Sequence, residues 1–568
     1  MKRSQIIVVL AAVVAVVVVG VASQGKGKGA GGSAASKASA TPANAIAVTV
    51  ASSPEKAGLV KKAADAYNAT HPKVHGRPVV VSVTNPASGD EVTAIARAAR
   101  GQRGGDEPVV WSPASSLWAR LLDHSTDKNL VPPHTPSIVR SPLVLAMWEP
   151  LARALGWPKK QIGWADVLRL AQDPRGWAAY GLPEYNQFKL VHTNPSVSTS
   201  GLEAVSAAYF AATGKTEGLT VADVKRPAVA RDIAGIENSI VHYGDTTNFI
   251  KAQMRKYGPG YASAAAMEET TLVDFNQHRG GQPKLVGIYP TEGTFISDSP
   301  YIILQAPWVN SDERAAAQAF QRFTAKYVTP EVAAQDGFRP PDPDAAPVSP
   351  VDAAHGADPK QPVRELVPPA PDVLAQIQKA WLKNRKAANI ELVVDRSGSM
   401  DDFHKLEHAK DGLQAFLNEL SPRDRVGLTI FSDHVTRLVP LQPFAQNEKV
   451  LRSKVRELFA DGETSLYDAT ANAVDQVAAL HDTKRINAVV LLADGQDSGY
   501  GMALSDLVPR LEAHTGPETE PIRVFTIGYG QDAVPEVLKK IAEASDGQYS
   551  QGDTSNIESV YRGISSFF

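Results

Sequence analysis

The stretch ANIELVVDRSGSM, residues 388–400, decides the reading of the carboxy-terminal block. An aliphatic run of strand length stops at Asp395, and the polar turn after it carries Ser397 and Ser399 before an amphipathic helical pattern begins. Outward from there the alternation repeats. DRVGLTIFSD (424–433) reads as a strand, DGETSLYDAT (461–470) as a loop opening a helix, NAVVLLADGQDSG (487–499) as a strand ending at Asp494, and IRVFTIGYG (522–530) as a further strand. Strands alternating with helices predict a doubly wound, Rossmann-like sheet with helices on both faces, and such sheets place their sites in the loops at the carboxyl ends of the strands.

Five oxygen side chains from three separate loops are thereby expected to converge: Asp395, Ser397, Ser399, Thr464 and Asp494. This is hard-cation chemistry. Mg²⁺ takes octahedral oxygen ligands at about 2.0 to 2.1 Å and keeps waters readily, so hydroxyls with carboxylates acting partly through water suffice without a closed cage. Two carboxylates nearly match a divalent charge. With hydroxyls as direct ligands the ion stays electrophilic, and an open position can take a carboxylate from another molecule.

These residues resemble the metal-ion-dependent adhesion site of von Willebrand factor type A domains. DRSGSM fits the Asp-x-Ser-x-Ser pattern, Thr464 in ETSLYDA fits the separate Thr, and Asp494 in LLADG fits the final Asp. The resemblance implies Mg²⁺ or Mn²⁺ held directly by Ser397, Ser399 and Thr464, with Asp395 and Asp494 acting largely through water and Asp468 tying down the loop behind them. It also implies an unidentified protein ligand that supplies an Asp or Glu to the metal.

One competing motif lies nearby. His404, Glu407 and His408 spell H-x-x-E-H, the inverted zinc-protease pattern. The buried stripe of that helix is Leu406, Ala409, Leu413, Leu417 and Leu420, which leaves both histidines on the solvated side with no identifiable third ligand. No Ser-His-Asp set, G-x-S-x-G elbow or P-loop is present, so no catalytic residue is assigned and a non-enzymatic protein is expected.

In the preceding block, runs at 46–50, 78–83 and 108–111 alternate with helical stretches at 54–70 and 91–100, again the pattern of a parallel α/β sheet. Its polar loops at 51–56, 84–90 and 111–116 would sit at the carboxyl edge. The strand followed by SSPEK, then SPLVLAMWEPLARALGWP (141–158), FKLVHTNPSVSTSGLEAV (188–205) and a late DGFRPP (336–341), resemble in order and spacing the two-lobed bacterial extracellular solute-binding proteins, type 2-like. That resemblance implies two α/β lobes joined by crossover strands. A small polar solute or oxyanion would lie in the cleft against Ser53, Ser112, Ser200 and Tyr289; the alternative for Ser53 and Ser200 is helix capping. The acid pair Glu268 and Glu269 reads by default as a helix-surface or helix-end feature.

Lys2 and Arg3 precede an apolar run at 6–22, followed by a Gly-, Ser- and Lys-rich tether. Its length suits either an uncleaved anchor or a cleaved signal peptide; the anchor is the expectation, with the positive charges holding the amino terminus in the cytoplasm. The domain reading is therefore 1–23 transmembrane anchor or signal peptide, 24–45 flexible linker, 46–345 solute-binding-like domain, 346–387 Pro-rich linker and connecting helix, and 388–568 type A domain. Two linkers imply mobile domains.

Composition narrows the function classes. The chain of 568 residues carries 58 Lys and Arg against 61 Asp and Glu, a net charge of −3, and no Cys. Near-neutral charge without a basic groove argues against nucleic acid as partner. Zero Cys removes disulfides, thiolate metal sites and a lipidated cysteine. The expectation is a single-pass membrane protein with extracellular domains, or its secreted form, that recognises a partner through Mg²⁺. The alternative is a solute-capturing component of a transport or sensing system with the type A domain as docking module.

Overall fold

The computed structural model describes residues 44–126, 128–493, 497–499, 501–516, 521–530, 533–554 and 556–568. The apolar run, nearly all of the tether and Asp494 lie outside the described residues. Among the described residues no helix is long and apolar enough to cross a membrane.

The first lobe is a five-stranded sheet in the order Ile302–Ile303, Val110–Ser112, Ile46–Ser52, Arg77–Thr84, Lys73–Val74. Its three longest strands are parallel, with Ile46–Ser52 central. Helix Ala57–Ala69 covers it because Leu59, Val60, Ala63, Ala64 and Tyr67 recur at helical spacing and are all buried. Two crossover segments then carry the chain out and back: Ile138 N–H donates to the Ser299 carbonyl at 2.9 Å and Tyr301 N–H to the Pro136 carbonyl at 2.8 Å. The second lobe is built on Ser141–Trp148, every residue of which is buried. This strand pairs antiparallel with both Ala264–Glu268 and Leu285–Ile288. Antiparallel pairing prevails in this lobe because the central strand arrives along a crossover rather than through a strand–helix–strand unit.

The type A sheet has six strands in the order Val435–Pro443, Arg425–Phe431, Ala388–Asp395, Ile486–Ala493, Ile522–Tyr529, Tyr549–Gly552. All neighbours are parallel except the first pair. Its three central strands are buried along their whole length, as a sheet with helices on both faces requires. Glu391 is the exception in chemistry: it lies fully buried in Ala388–Asp395 with Oε1 accepting from Thr429 Oγ1 at 2.6 Å.

The Pro-rich stretch packs along the first domain. Gly287 N–H donates to the Gly356 carbonyl at 2.8 Å, Thr294 N–H to Arg364 at 2.9 Å and Leu366 N–H back to Thr294 at 2.9 Å. Helix Pro371–Asn384 then buries Val373, Leu374, Ile377 and Trp381. Trp381 Nε1 donates to Glu237 Oε2 at 3.1 Å. The chain enters the type A sheet through a buried ion pair, Arg385 Nη2 to Asp424 Oδ2 at 2.6 Å.

The two domains share an interface in place of the mobile joint that linker composition suggests. Phe249 meets Phe567 edge-on with ring centroids 5.1 Å apart. Arg97 pairs with Glu558 at 2.6 Å, and Lys256 with Asp546 at 2.8 Å. Apolar packing runs unbroken from one domain into the other. The Asp546 and Phe567 contacts lie toward the amino ends of the type A strands, whereas Glu558 sits in the first turn of the helix Ile557–Ser565 that follows the last strand.

Candidate metal centre and interlobe cleft

At the carboxyl edge of the type A sheet, Asp395 closes the strand Ala388–Asp395 and is fully buried. Its Oδ1 accepts the Ser397 N–H at 2.8 Å, which bends the chain so that the Ser397 and Ser399 hydroxyls lie 3.1 Å apart. The Thr464 loop is laced to this turn: Gly398 N–H donates to the Gly462 carbonyl at 2.9 Å and Asp461 N–H to Arg396 at 2.7 Å. Gly462 sits at φ +85°, and a Cβ there would meet Asp433 Oδ2 at 2.4 Å, so only glycine allows the approach. Thr464 itself is buried. The structure thus brings Asp395, Ser397, Ser399 and the Thr464 loop together. Asp494 lies outside the described residues; the strand immediately before it, Ile486–Ala493, runs parallel to Ala388–Asp395 with Leu492 opposite Val394.

Groups that the sequence did not single out hold the loops in place. Asp433 Oδ1 accepts the Glu463 N–H at 3.0 Å. Ser498 Oγ accepts the Thr464 N–H at 2.9 Å, while Ser498 N–H donates to the Thr464 carbonyl at 2.8 Å. Asp468, expected behind the ligands, accepts the Met502 N–H at 3.2 Å. The donor set fits a hard divalent cation, since it offers hydroxyl and carboxylate oxygens. Among the described residues no group of three or more His, Cys, Asp or Glu is placed to hold a metal. His404, Glu407 and His408 are all exposed, and His404 precedes the helix in a left-handed conformation at φ 56°. Two large apolar side chains flank the edge: Phe403 is 82% exposed and Phe459 65%, the latter under the Arg396 guanidinium at 5.1 Å.

In the first domain the two lobes touch. Gly89 N–H donates to the Val197 carbonyl at 2.8 Å, and Trp118 Nε1 to Thr199 Oγ1 at 2.8 Å. The remaining space is lined by Glu55, Ser88, Thr199, Asp245, Thr247 and Glu268, from the loops at the carboxyl edge of the first sheet and the facing lobe. Ser53 lies beside it, donating to Glu55 and accepting from the Lys56 ammonium. Lys56 is fully buried and bonds the Ser112 and Pro113 carbonyls at 2.8 and 3.0 Å; burial draws its pKa down to about 8 against the pull of Glu55. Ser112 is buried with an unpartnered hydroxyl. Ser200 pairs with Thr193 at 2.8 Å behind the cleft wall. The Tyr289 hydroxyl donates to Glu269, which Arg339 holds in a bidentate pair at 2.7 and 2.8 Å. Ser112, Ser200 and Tyr289 are thus outside the cavity lining, and neither Ser53 nor Ser200 caps a helix through its side chain.

Of the two readings of Glu268 and Glu269 the helix-end one holds and the helix-surface one does not, because both are buried, Glu268 closing a strand just before a helix that Glu269 opens. Burial raises the Glu268 carboxyl, reinforced by Glu55, and raises Glu203 well above the usual carboxylate range, reinforced by Glu268. Asp90 and Glu91 are pushed up to about 6 and about 7 by burial. A cleft walled by acids, with its one buried ammonium turned onto backbone carbonyls, suits a cation or a neutral polar solute better than an oxyanion.

Residues 48–339, over half of the chain, match the family model of the bacterial extracellular solute-binding proteins, and residues 389–562 match that of the von Willebrand factor type A domain. The fold is thus that of a solute-binding protein fused to a type A domain. This chain belongs to the bacterial extracellular solute-binding protein family and carries a type A domain at its carboxy-terminal side. It is similar to an uncharacterized Mycobacterium tuberculosis (strain H37Rv) protein, 24% identical over 540 residues covering 89% of this chain and 74% of that one. Among solved structures, a von Willebrand factor type A protein from Catenulispora acidiphila is 23% identical, covering 32% of this chain and 42% of that one with a TM-score of 0.29. The periplasmic binding protein AfuA from Actinobacillus pleuropneumoniae is 13% identical, covering 60% of this chain and 98% of that one with a TM-score of 0.41. Both domain types serve recognition or binding outside the cytoplasm, and type A domains commonly bind a divalent metal at this motif.

Proposed function

We propose that this is a non-enzymatic recognition protein, tethered to the outer face of the cell membrane by its amino-terminal segment, whose type A domain binds a partner protein through Mg²⁺ or Mn²⁺. The observation that carries the reading is the turn from Asp395 to Ser399 laced to the Thr464 loop, at the carboxyl edge of the sheet. Ser397, Ser399 and Thr464 would hold the ion, with Asp395 and Asp494 behind them. The ion supplies an electrophilic position for a partner Asp or Glu. Phe403 and Phe459 beside it offer apolar surface of the kind that anchors protein interfaces. The first domain would hold the type A domain through their shared interface.

The test is retention of envelope proteins on purified residues 24–568 with Mg²⁺ and with EDTA, alongside Asp395→Ala. A partner retained only with metal and lost in the variant supports the reading; retention indifferent to both overturns it. A second reading, solute capture for transport or sensing, is favoured by the family of the first domain and by the cavity left between its closed lobes. Amines and polar neutral solutes that raise the unfolding temperature of the first domain would support it, by mass action on the folded state.

A further inference from the structure

A second cavity, of about 730 Å³, opens where the two domains meet. On the type A side it is walled by the amino ends of strands Ile486–Ala493 and Ile522–Tyr529 with Lys386, the 483–485 segment and Asp546, on the other by the 187–189 and 238–241 segments, Tyr257 and Tyr261. It lies at the opposite end of the sheet from Asp395 and is separate from the interlobe cleft. Five cationic side chains line it: Lys189, Lys386, Lys484, Arg485 and Arg523. The one acid lining it among the described residues is Asp546, whose Oδ1 is already taken by Lys256 at 2.8 Å and by the Tyr257 hydroxyl.

Arg523 is the informative residue. It is 5% exposed, and its buried Nε has no hydrogen-bond partner. A guanidinium carries five donors in a planar fork, and an uncompensated buried charge is strongly destabilising. Its electrostatic neighbours are Tyr261, Asp546 and Tyr257, none of which closes a hydrogen bond to Nε. The strand holds it with its side chain on the cavity, level with Ala488 of the neighbouring strand. Lys386 also lines the cavity, its ammonium on the Ile240 carbonyl at 2.7 Å. Phe188 and Tyr261 supply apolar walls. The volume is that of a site for a small organic molecule; Arg485 is paired with Asp482 at 3.3 Å, and Arg523, Lys386 and Lys484 beside that pair set the charge of the occupant.

We propose that this interdomain cavity binds a small organic oxyanion, its carboxylate or phosphate on Arg523 and Lys386 and its apolar body against Phe188 and Tyr261. Because residues of both domains line it, the bound anion is a contact between them and strengthens their docking.

Phenyl phosphate and inorganic phosphate are the probes, added to purified residues 24–568 at matched ionic strength, with unfolding temperature and calorimetric titration as readouts. Phenyl phosphate at millimolar concentration raises the unfolding temperature by several degrees, inorganic phosphate by less, and sodium chloride not at all. Arg523→Met removes the response while leaving the probe-free protein at least as stable as the parent, since it relieves the buried charge. Lys484→Glu, at an exposed position, weakens phenyl phosphate binding several-fold without affecting folding and stands as the test if Arg523→Met does not fold. Absence of any response in the parent, or an equal response in Arg523→Met or Lys484→Glu, overturns the proposal.

Discussion

Replacing Glu391 by Gln should stabilise this protein at pH 8 and leave it unchanged near pH 4.5. Glu391 lies in the strand that ends at Asp395, fully buried, with one oxygen on Thr429 and the other without a partner. Gly427 opposite makes the room: a Cβ there would meet Glu391 Oε2 at 1.9 Å. Burial pushes the carboxyl from its usual 4.5 up to about 7, with Thr429 and Arg437 pulling the other way. A carboxyl raised in the folded state binds a proton there that the unfolded chain has released. Stability is therefore highest below the unfolded pKa and is lost as pH rises from about 4.5 through about 7. At 1.36 kcal/mol for each pH unit, the ionised form costs roughly 3 kcal/mol at pH 8. Gln keeps the acceptor for Thr429 and cannot ionise. Urea denaturation at pH 4.5, 6, 7 and 8 should show parent and variant coinciding at the acid end and separating by roughly that amount at the alkaline end. Parallel pH profiles, or a variant less stable at pH 8, would refute the assignment of a buried, neutral-preferring carboxyl.

The domain interface and the metal loops give further expectations. Phe567 is buried between Phe249 and Phe525, so the parent should unfold in one calorimetric transition, and Phe567→Ala, costing about 3 to 5 kcal/mol, should split it into two. Two transitions in the parent would show that the domains are not coupled. Asp433→Ala removes the acceptor for the Glu463 N–H beside Thr464 and should weaken Mn²⁺ binding about 10-fold, with no change in unfolding cooperativity. Unchanged affinity would mean that the Thr464 loop is held by its other contacts alone.

The core of this architecture was legible because its signals are periodic. The strands at 388–395, 425–431, 486–493 and 522–529 are predominantly apolar runs ending in polar turns, and each was read close to its observed bounds. The edge strands were not. Val435–Pro443 is mostly exposed and alternates weakly, and Tyr549–Gly552 is short, so neither carries a burial pattern that sequence can reveal. The hydroxyl turn was legible as a spaced motif, whereas Asp433 and Ser498 act through single backbone contacts from other loops and have no motif. In the cleft, Ser53 was read at the right loop, but Lys56 and Glu203 carry no motif and were not singled out, and Glu268 was read as a helix-surface or helix-end feature. Their burial follows from how two distant lobes close on each other, which no local pattern encodes. The Pro-rich segment misled for a related reason: its composition is that of a linker, yet its backbone groups pair along the second lobe.

The central claim is that the Asp395, Ser397, Ser399 and Thr464 oxygens form a divalent-cation site. Titration of Mn²⁺ into residues 24–568, with free Mn²⁺ followed by electron paramagnetic resonance, tests it directly. The account predicts saturable binding at one site per chain, displaced by excess Mg²⁺ and lost in Thr464→Ala. Absence of saturable binding in the parent, or equal binding in Thr464→Ala, would contradict it.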